Sequence, residues 1–173
     1  MRSVNLAACA TLVAASAFGS VSMAPHAWAS DPAINGTFTA TVIGDWARTR
    51  EVNHQEAVTR STWTISTSCT TAQDCGGQVT SDQGWTATVK MTDGHNFYAK
   101  RDIPNWEVCP DGTAFPGKDY FYFYPSDPET GINNFDSNSI VLAGREQTVG
   151  PSGACGVNLP LSISQPIRLD RIG

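Results

Sequence analysis

Basic residues are scarce and scattered along this chain. There are 11 Lys and Arg against 16 Asp and Glu, a formal charge of −5, and no stretch concentrates enough positive charge to displace counterions from phosphates. Nucleic acid and acidic lipid surfaces are therefore excluded as partners. Histidine is nearly absent as well: of 3 in the sequence, only His54 and His95 lie beyond residue 29. A Ser-His-Asp hydrolase would also want its serine on a strained turn such as G-x-S-x-G. The nearest string, "GPSGACG" around Ser152, lacks that spacing. No two cysteines are spaced C-x-x-C, so a thiolate zinc site is not expected, and no cofactor is predicted. After residue 29 no window carries a sustained 3.6-residue apolar stripe with caps, which removes the helical classes, and none is long enough to span a bilayer.

The N-terminus is of a different kind. Arg2 is followed by an apolar and small-residue run from Leu6 to Ala24 and then by "HAWAS", with Ala27 and Ala29 flanking Trp28. These are the parts of a secretory signal peptide cut after Ala29, giving a signal segment 1–29 and an exported domain 30–173. The string "LAAC" at Leu6 to Cys9 spells a lipoprotein attachment box, but it precedes the hydrophobic stretch that such a box must follow. The exported part is of ordinary single-domain size.

Cys9 leaves with the leader, so Cys69, Cys75, Cys109 and Cys155 remain. An even number in a small exported domain implies two disulfides, with three possible connectivities. Pairing Cys69 with Cys75 across "CTTAQDC", and Cys109 with Cys155, is preferred. In the loop-entropy description the short loop contributes about 2.4 kcal/mol and the long one about 4 kcal/mol, before any native strain.

Strand patterns fill the rest. "GTFTATVIG" sets Phe38, Ala40 and Val42 on one face and Thr37, Thr39 and Thr41 on the other, the period of a half-buried strand. Further runs cover residues 57–68, with Trp63 and Ile65 facing one way, then 78–81, 85–91, 96–103, 119–124, 138–144 and 159–172. "DG" at Asp93 and Gly94 signals a tight hairpin, and "PNWEVCPDGT" reads as a loop pinned over the core. About eight strands at roughly ten-residue spacing predict an all-β single domain, an antiparallel meandering barrel in preference to a β-sandwich. Closure favours the barrel because it removes exposed edges.

The sharpest functional clue is "DYFYFYP", Asp119 to Pro125. In a strand its tyrosines face one way and its phenylalanines the other. Phe121 and Phe123 are expected in the core, leaving Tyr120, Tyr122 and Tyr124 as a ladder able to stack on a sugar or flank a lipid chain. In the opposite phase the tyrosines would line a barrel interior. With Trp106, they form the predicted ligand-binding set, for an envelope lipid, glycan or protein. No catalytic residue is assigned. The alternative is an exported hydrolase using Asp or Glu with His54 or His95, and a third reading is a structural envelope protein. Asp127, Glu129 and Asp136 lie in the one long polar loop, without the order of a calcium-binding loop, and are read as a solvated turn.

Taken together, "STWTISTSCTTAQDCGGQVTSDQGWTA", "KRDIPNWEVCPDGTAFPG", "FYFYP" and "TVGPSGACG" resemble an uncharacterised family of small secreted mycobacterial proteins, over most of the exported chain. The tryptophan and cysteine pattern is also similar to extracytoplasmic segments of mycobacterial sensor kinases. The resemblance implies export, disulfides through Cys69, Cys75, Cys109 and Cys155, and a location in the envelope or the medium. It implies no catalytic residues. "GDW" at Gly44 to Trp46 is similar to the G-x-W signature of lipocalins, without the supporting motifs.

Overall fold

Phe38, Ala40 and Val42 are buried and the threonines between them are half-exposed, so the first strand has the phase its sequence predicts. The computed structural model describes residues 31–173. The leader and its cleavage after Ala29 lie outside the described residues. In chain order the strands are β1 (Asn35–Val42), β2 (Arg48–Thr49), β3 (Val52–Asn53), β4 (Thr59–Thr71), β5 (Asp74–Ser81), β6 (Thr86–Met91), β7 (Phe97–Val108), β8 (Ala114–Ser126), β9 (Val141–Val149) and β10 (Ser162–Arg171). Short 3-10 turns cover Gly44–Trp46 and Ala154–Gly156.

Strands β4 through β10 meander as antiparallel neighbours, β1 pairs with β4 on one side and β10 on the other, and the sheet closes. The result is an eight-stranded antiparallel barrel, with β2 and β3 as a small hairpin on the edge of β10. Inward positions of all eight strands meet in one core containing Phe38, Trp63, Val79, Val89, Phe97, Phe121, Phe123, Leu142 and Leu169. An eight-stranded barrel is just wide enough for side chains to fill it. Each large apolar side chain removed from water here is worth about 1.5–3 kcal/mol.

Two glycines show how tightly the sheet is rolled. A Cβ on Gly77 would collide with the Ser66 carbonyl and one on Gly144 with the Tyr122 carbonyl, each on the neighbouring strand. Only a residue without a side chain lets the backbones approach so closely.

The two disulfides are Cys69–Cys75 and Cys109–Cys155. The first joins directly opposed residues of β4 and β5 beside the core. The second ties the turn after β7 to the loop before β10, across a sequence separation of 46.

Two local expectations need correcting. The Asp93–Gly94 pair does not make a two-residue hairpin: five residues, 92–96, join β6 to β7, and only Gly94 of the pair has positive φ. Asp93 instead accepts from the backbone N–H groups of His95 and Asn96, a side-chain turn that competes with the tight one. The segment "PNWEV" is strand rather than loop. β7 runs through it past a register shift between Ile103 and Glu107, where Pro104 needs no ladder donor and Asn105 takes φ 54°.

Candidate functional site

The phase of the aromatic row places Phe121 and Phe123 in the core and turns Tyr120, Tyr122 and Tyr124 outward. Register then extends this wall across four strands. One outward row runs Tyr98, Tyr122, Arg145, Pro166 and the next runs Lys100, Tyr120, Gln147, Ser164, over β7, β8, β9 and β10. The ring of Tyr98 lies 5.1 Å from that of Tyr122 and 6.2 Å from that of Tyr120. Cations stand over two of the rings, the Lys100 ammonium 5.6 Å from the Tyr120 centroid and the Arg145 guanidinium 5.6 Å from that of Tyr122. Burial, then the neighbouring Tyr122 and Tyr120, push the Tyr98 phenol above its ordinary value, so Tyr98 stays neutral and able to donate.

The wall is grooved. Tyr98, Tyr122 and Tyr124 line a groove of about 630 Å³ with Thr92, Asp93, Asn96 and Arg145. Tyr120 lines a neighbouring one of about 450 Å³, beside the exposed Lys118–Asp102 ion pair at 3.0 Å. The three tyrosines therefore share one face but serve two grooves. Trp106 is not with them. Its ring lies where a Cβ on Gly117 would stand, and Gly117 belongs to the inward row of β8 with Asp119, so Trp106 covers the end of the barrel on the opposite side of the sheet.

His54 and His95 sit on separate loops. His54 Nδ1 is 3.1 Å from Glu56 Oε1 in an exposed pair. His95 lies against Asp93 and Asn96 and packs edge-on to Phe135 at 5.2 Å. In the long loop, one Asp127 oxygen already accepts from the Glu129 and Thr130 N–H groups and the Thr130 hydroxyl. That is a turn cap.

Sequence reasoning missed a second polar assembly, inside the barrel. Asp119 is fully buried and accepts from Arg101 Nε at 2.7 Å and from the Thr148 hydroxyl at 3.3 Å. Glu146, on β9 two residues before Thr148 and in the same inward row, completes the group. Burial first, then the Asp119 charge, push the Glu146 carboxyl up to about 8, against the pull of Arg101. Burial also raises Asp119, which Arg101 and Thr148 oppose. Since Asp119 holds the direct bond to Arg101, Glu146 carries the proton, and one cation, one anion and one neutral acid sum to zero charge. The Arg101 guanidinium lies against the stacked pair of Trp85 and Phe121, 4.4 Å from the Trp85 centroid and 5.5 Å from that of Phe121. Asp119 is closed off from solvent, and the group is placed to make the stability of the fold depend on pH. The signal was present: once Phe97 and Ala99 are inward, so is Arg101, and once Phe121 and Phe123 are inward, so is Asp119.

Among the described residues no helix is long and apolar enough to cross a membrane. No family model and no curated protein matches the chain. Among solved structures it is similar in fold to the monomer form of the M. tuberculosis PknI sensor domain, with a TM-score of 0.52 at 15% identity, over 82% of this chain and 88% of that one.

Proposed function

We propose that this chain is an exported, non-enzymatic binding module, and that its outer tyrosine wall binds a glycan. The observation that carries the reading is the phase of the row, phenylalanines inward and tyrosines outward, which spends four aromatic side chains on the surface of β7 and β8. Tyr122 alone is 39% exposed. An aromatic face with amide, carboxylate and guanidinium groups beside it matches a sugar ring, apolar on its C–H face and ringed by hydroxyls. A lipid chain fits less well, because the barrel interior is already filled by side chains. Two disulfides suit an oxidising compartment, and the leader-like segment 1–29 agrees with export. The sensor-domain name of the structural neighbour is compatible with a binding role, though a shared fold does not carry a function.

Screening the exported protein on an array of neutral and acidic oligosaccharides should give a binder, and Tyr122→Ala should weaken it about tenfold or more with unchanged circular dichroism. Equal affinity in the variant would remove the tyrosine wall as the site. Protein recovered from the medium of a mycobacterial host should begin at Ser30 and weigh four hydrogens less than its reduced form. An intact leader would overturn the export reading.

A further inference from the structure

The tyrosine groove has a neighbour across β9. Trp46, Arg48, Glu51 and Asn53, from the 3-10 turn and the β2–β3 hairpin, overhang the outer face of β9 and β10 and enclose about 410 Å³. Both this groove and the tyrosine groove are lined by Gly144 and Arg145. Gly144 belongs to the inward row of β9, opposite Phe123 and Ile167, so it reaches the outer face with backbone alone. On the outer face the two grooves therefore meet at the Gly144 backbone and at Arg145, the residues they share. Arg145 stands beside this floor with its guanidinium over Tyr122.

We infer that the two grooves are halves of one trough, which takes a neutral oligosaccharide of several linked rings running across β8, β9 and β10, with Trp46 as the far stacking platform. This rests on the glycan reading of the tyrosine wall and specifies the length and charge of its ligand. The outward row from Tyr98 to Pro166 covers three inter-strand steps, about 14 Å, longer than a single sugar ring, and Trp46 lies beyond it.

Trp46 is 73% exposed, an unusual place for the largest side chain. It is also held. The Ala47 N–H donates to the Gly44 carbonyl at 3.0 Å, the Glu56 N–H donates to the same carbonyl at 2.9 Å, and Gly44 is wedged against the backbone of Glu56 and Ala57. The hairpin behind it is tied down by the Arg50 N–H donating to the Ser162 carbonyl at 2.8 Å. An exposed aromatic on a fixed backbone has less entropy to lose on binding than one on a mobile loop.

Charge decides the ligand class. The trough holds Arg48 and Arg145 against Glu51 and Asp93, two of each sign. It has no net pull on a uronic acid or a phosphate. Paired donors and acceptors of this kind suit hydroxyl groups, and the amides of Asn53 and Asn96 add to them.

The test uses isothermal titration of the exported protein with neutral gluco-oligosaccharides from two to six rings, α- and β-linked, beside uronic-acid chains of matched length. Affinity for one neutral series should rise with length over the first few rings. Trp46→Ala should leave the disaccharide unaffected and remove the gain for longer chains, about tenfold. Tyr122→Ala should weaken every length. If Trp46→Ala binds long chains as tightly as the natural chain does while Tyr122→Ala is impaired, the trough is wrong and the tyrosine site survives. If the acidic chains bind more tightly than the neutral ones, the charge assignment fails. If no neutral chain binds at any length, the inference is overturned, and an acidic binder on the wider array would still leave the tyrosine wall as the site.

Discussion

Arg101→Met should cost about 3–5 kcal/mol of folding stability, the loss expected when one partner of a buried ion pair is removed. The substitution keeps an unbranched side chain of similar reach against Trp85 and Phe121, so packing is largely retained and the charge is what disappears. Asp119 then has the Thr148 hydroxyl and a neighbouring carboxyl, and no cation. Because both acids can take up protons, the loss should be smaller at pH 5 than at pH 8. Adding Asp119→Asn and Glu146→Gln to Arg101→Met should recover part of it, since uncharged amides need no counter-ion. Urea unfolding of the parent, Arg101→Met and the triple variant, followed by tryptophan fluorescence, measures this. An Arg101→Met protein as stable as its parent at pH 8 would mean that the ion pair contributes nothing.

The second large effect is a fall in stability with rising pH. Glu146 titrates at about 8 in the folded chain, against an ordinary carboxylate value near 4.5 once unfolded. Between those values the folded state holds a proton that the unfolded state has released, so stability declines as pH rises, by up to about 1.4 kcal/mol per unit. The decline should end once pH passes 8. Asp119, raised in the same direction, adds to it. Surface carboxylates act at the opposite end. Hydrogen bonds from Lys118 lower Asp102, and bonds from Thr130 lower Asp127, so their contributions vanish only in stronger acid, as pH falls through their folded values. Maximum stability should therefore lie near pH 5. Glu146→Gln should flatten the alkaline side and leave the variant the more stable protein at pH 8. A parent chain with equal stability at pH 5 and pH 8 would refute the shared-proton arrangement.

Much of the fold is legible in the sequence because the barrel is a meander, and each of its eight strands alternates in a way that needs no knowledge of its neighbour. Phe38, Trp63 and Phe121 announce their phase locally. What alternation cannot supply is register. Tyr98 joins the tyrosine wall only because Phe97 pairs with Phe123, which aligns β7 on β8. Arg145 and Trp46 reach the same surface by pairings of β9 and by a turn set between β1 and β2. The interior charges were overlooked for a different reason. Polar residues are read as outward by default, and Arg101, Asp119 and Glu146 break that habit by satisfying one another inside the core. Trp106, grouped with the tyrosines by composition, is separated from them by the thickness of the sheet.

The closing of the barrel has a kinetic side. Every other neighbouring pair of barrel strands is successive along the chain, apart from the β1–β4 pairing that skips the small hairpin, whereas β1 meets β10 from the far end of the domain, with Phe38 opposite Arg171 and Val42 opposite Ile167. Such a long-range contact brings no reward until the loop-closure entropy of the whole domain has been met. Until the last strand arrives, β1 and β9 present unpaired edges, the template for strand addition between molecules. A chain stopped short of Ser162 would keep both edges open. The vulnerable interval in the life of this protein is therefore the wait for its closing strand, Ser162–Arg171, and conditions that shorten that wait should suppress aggregation.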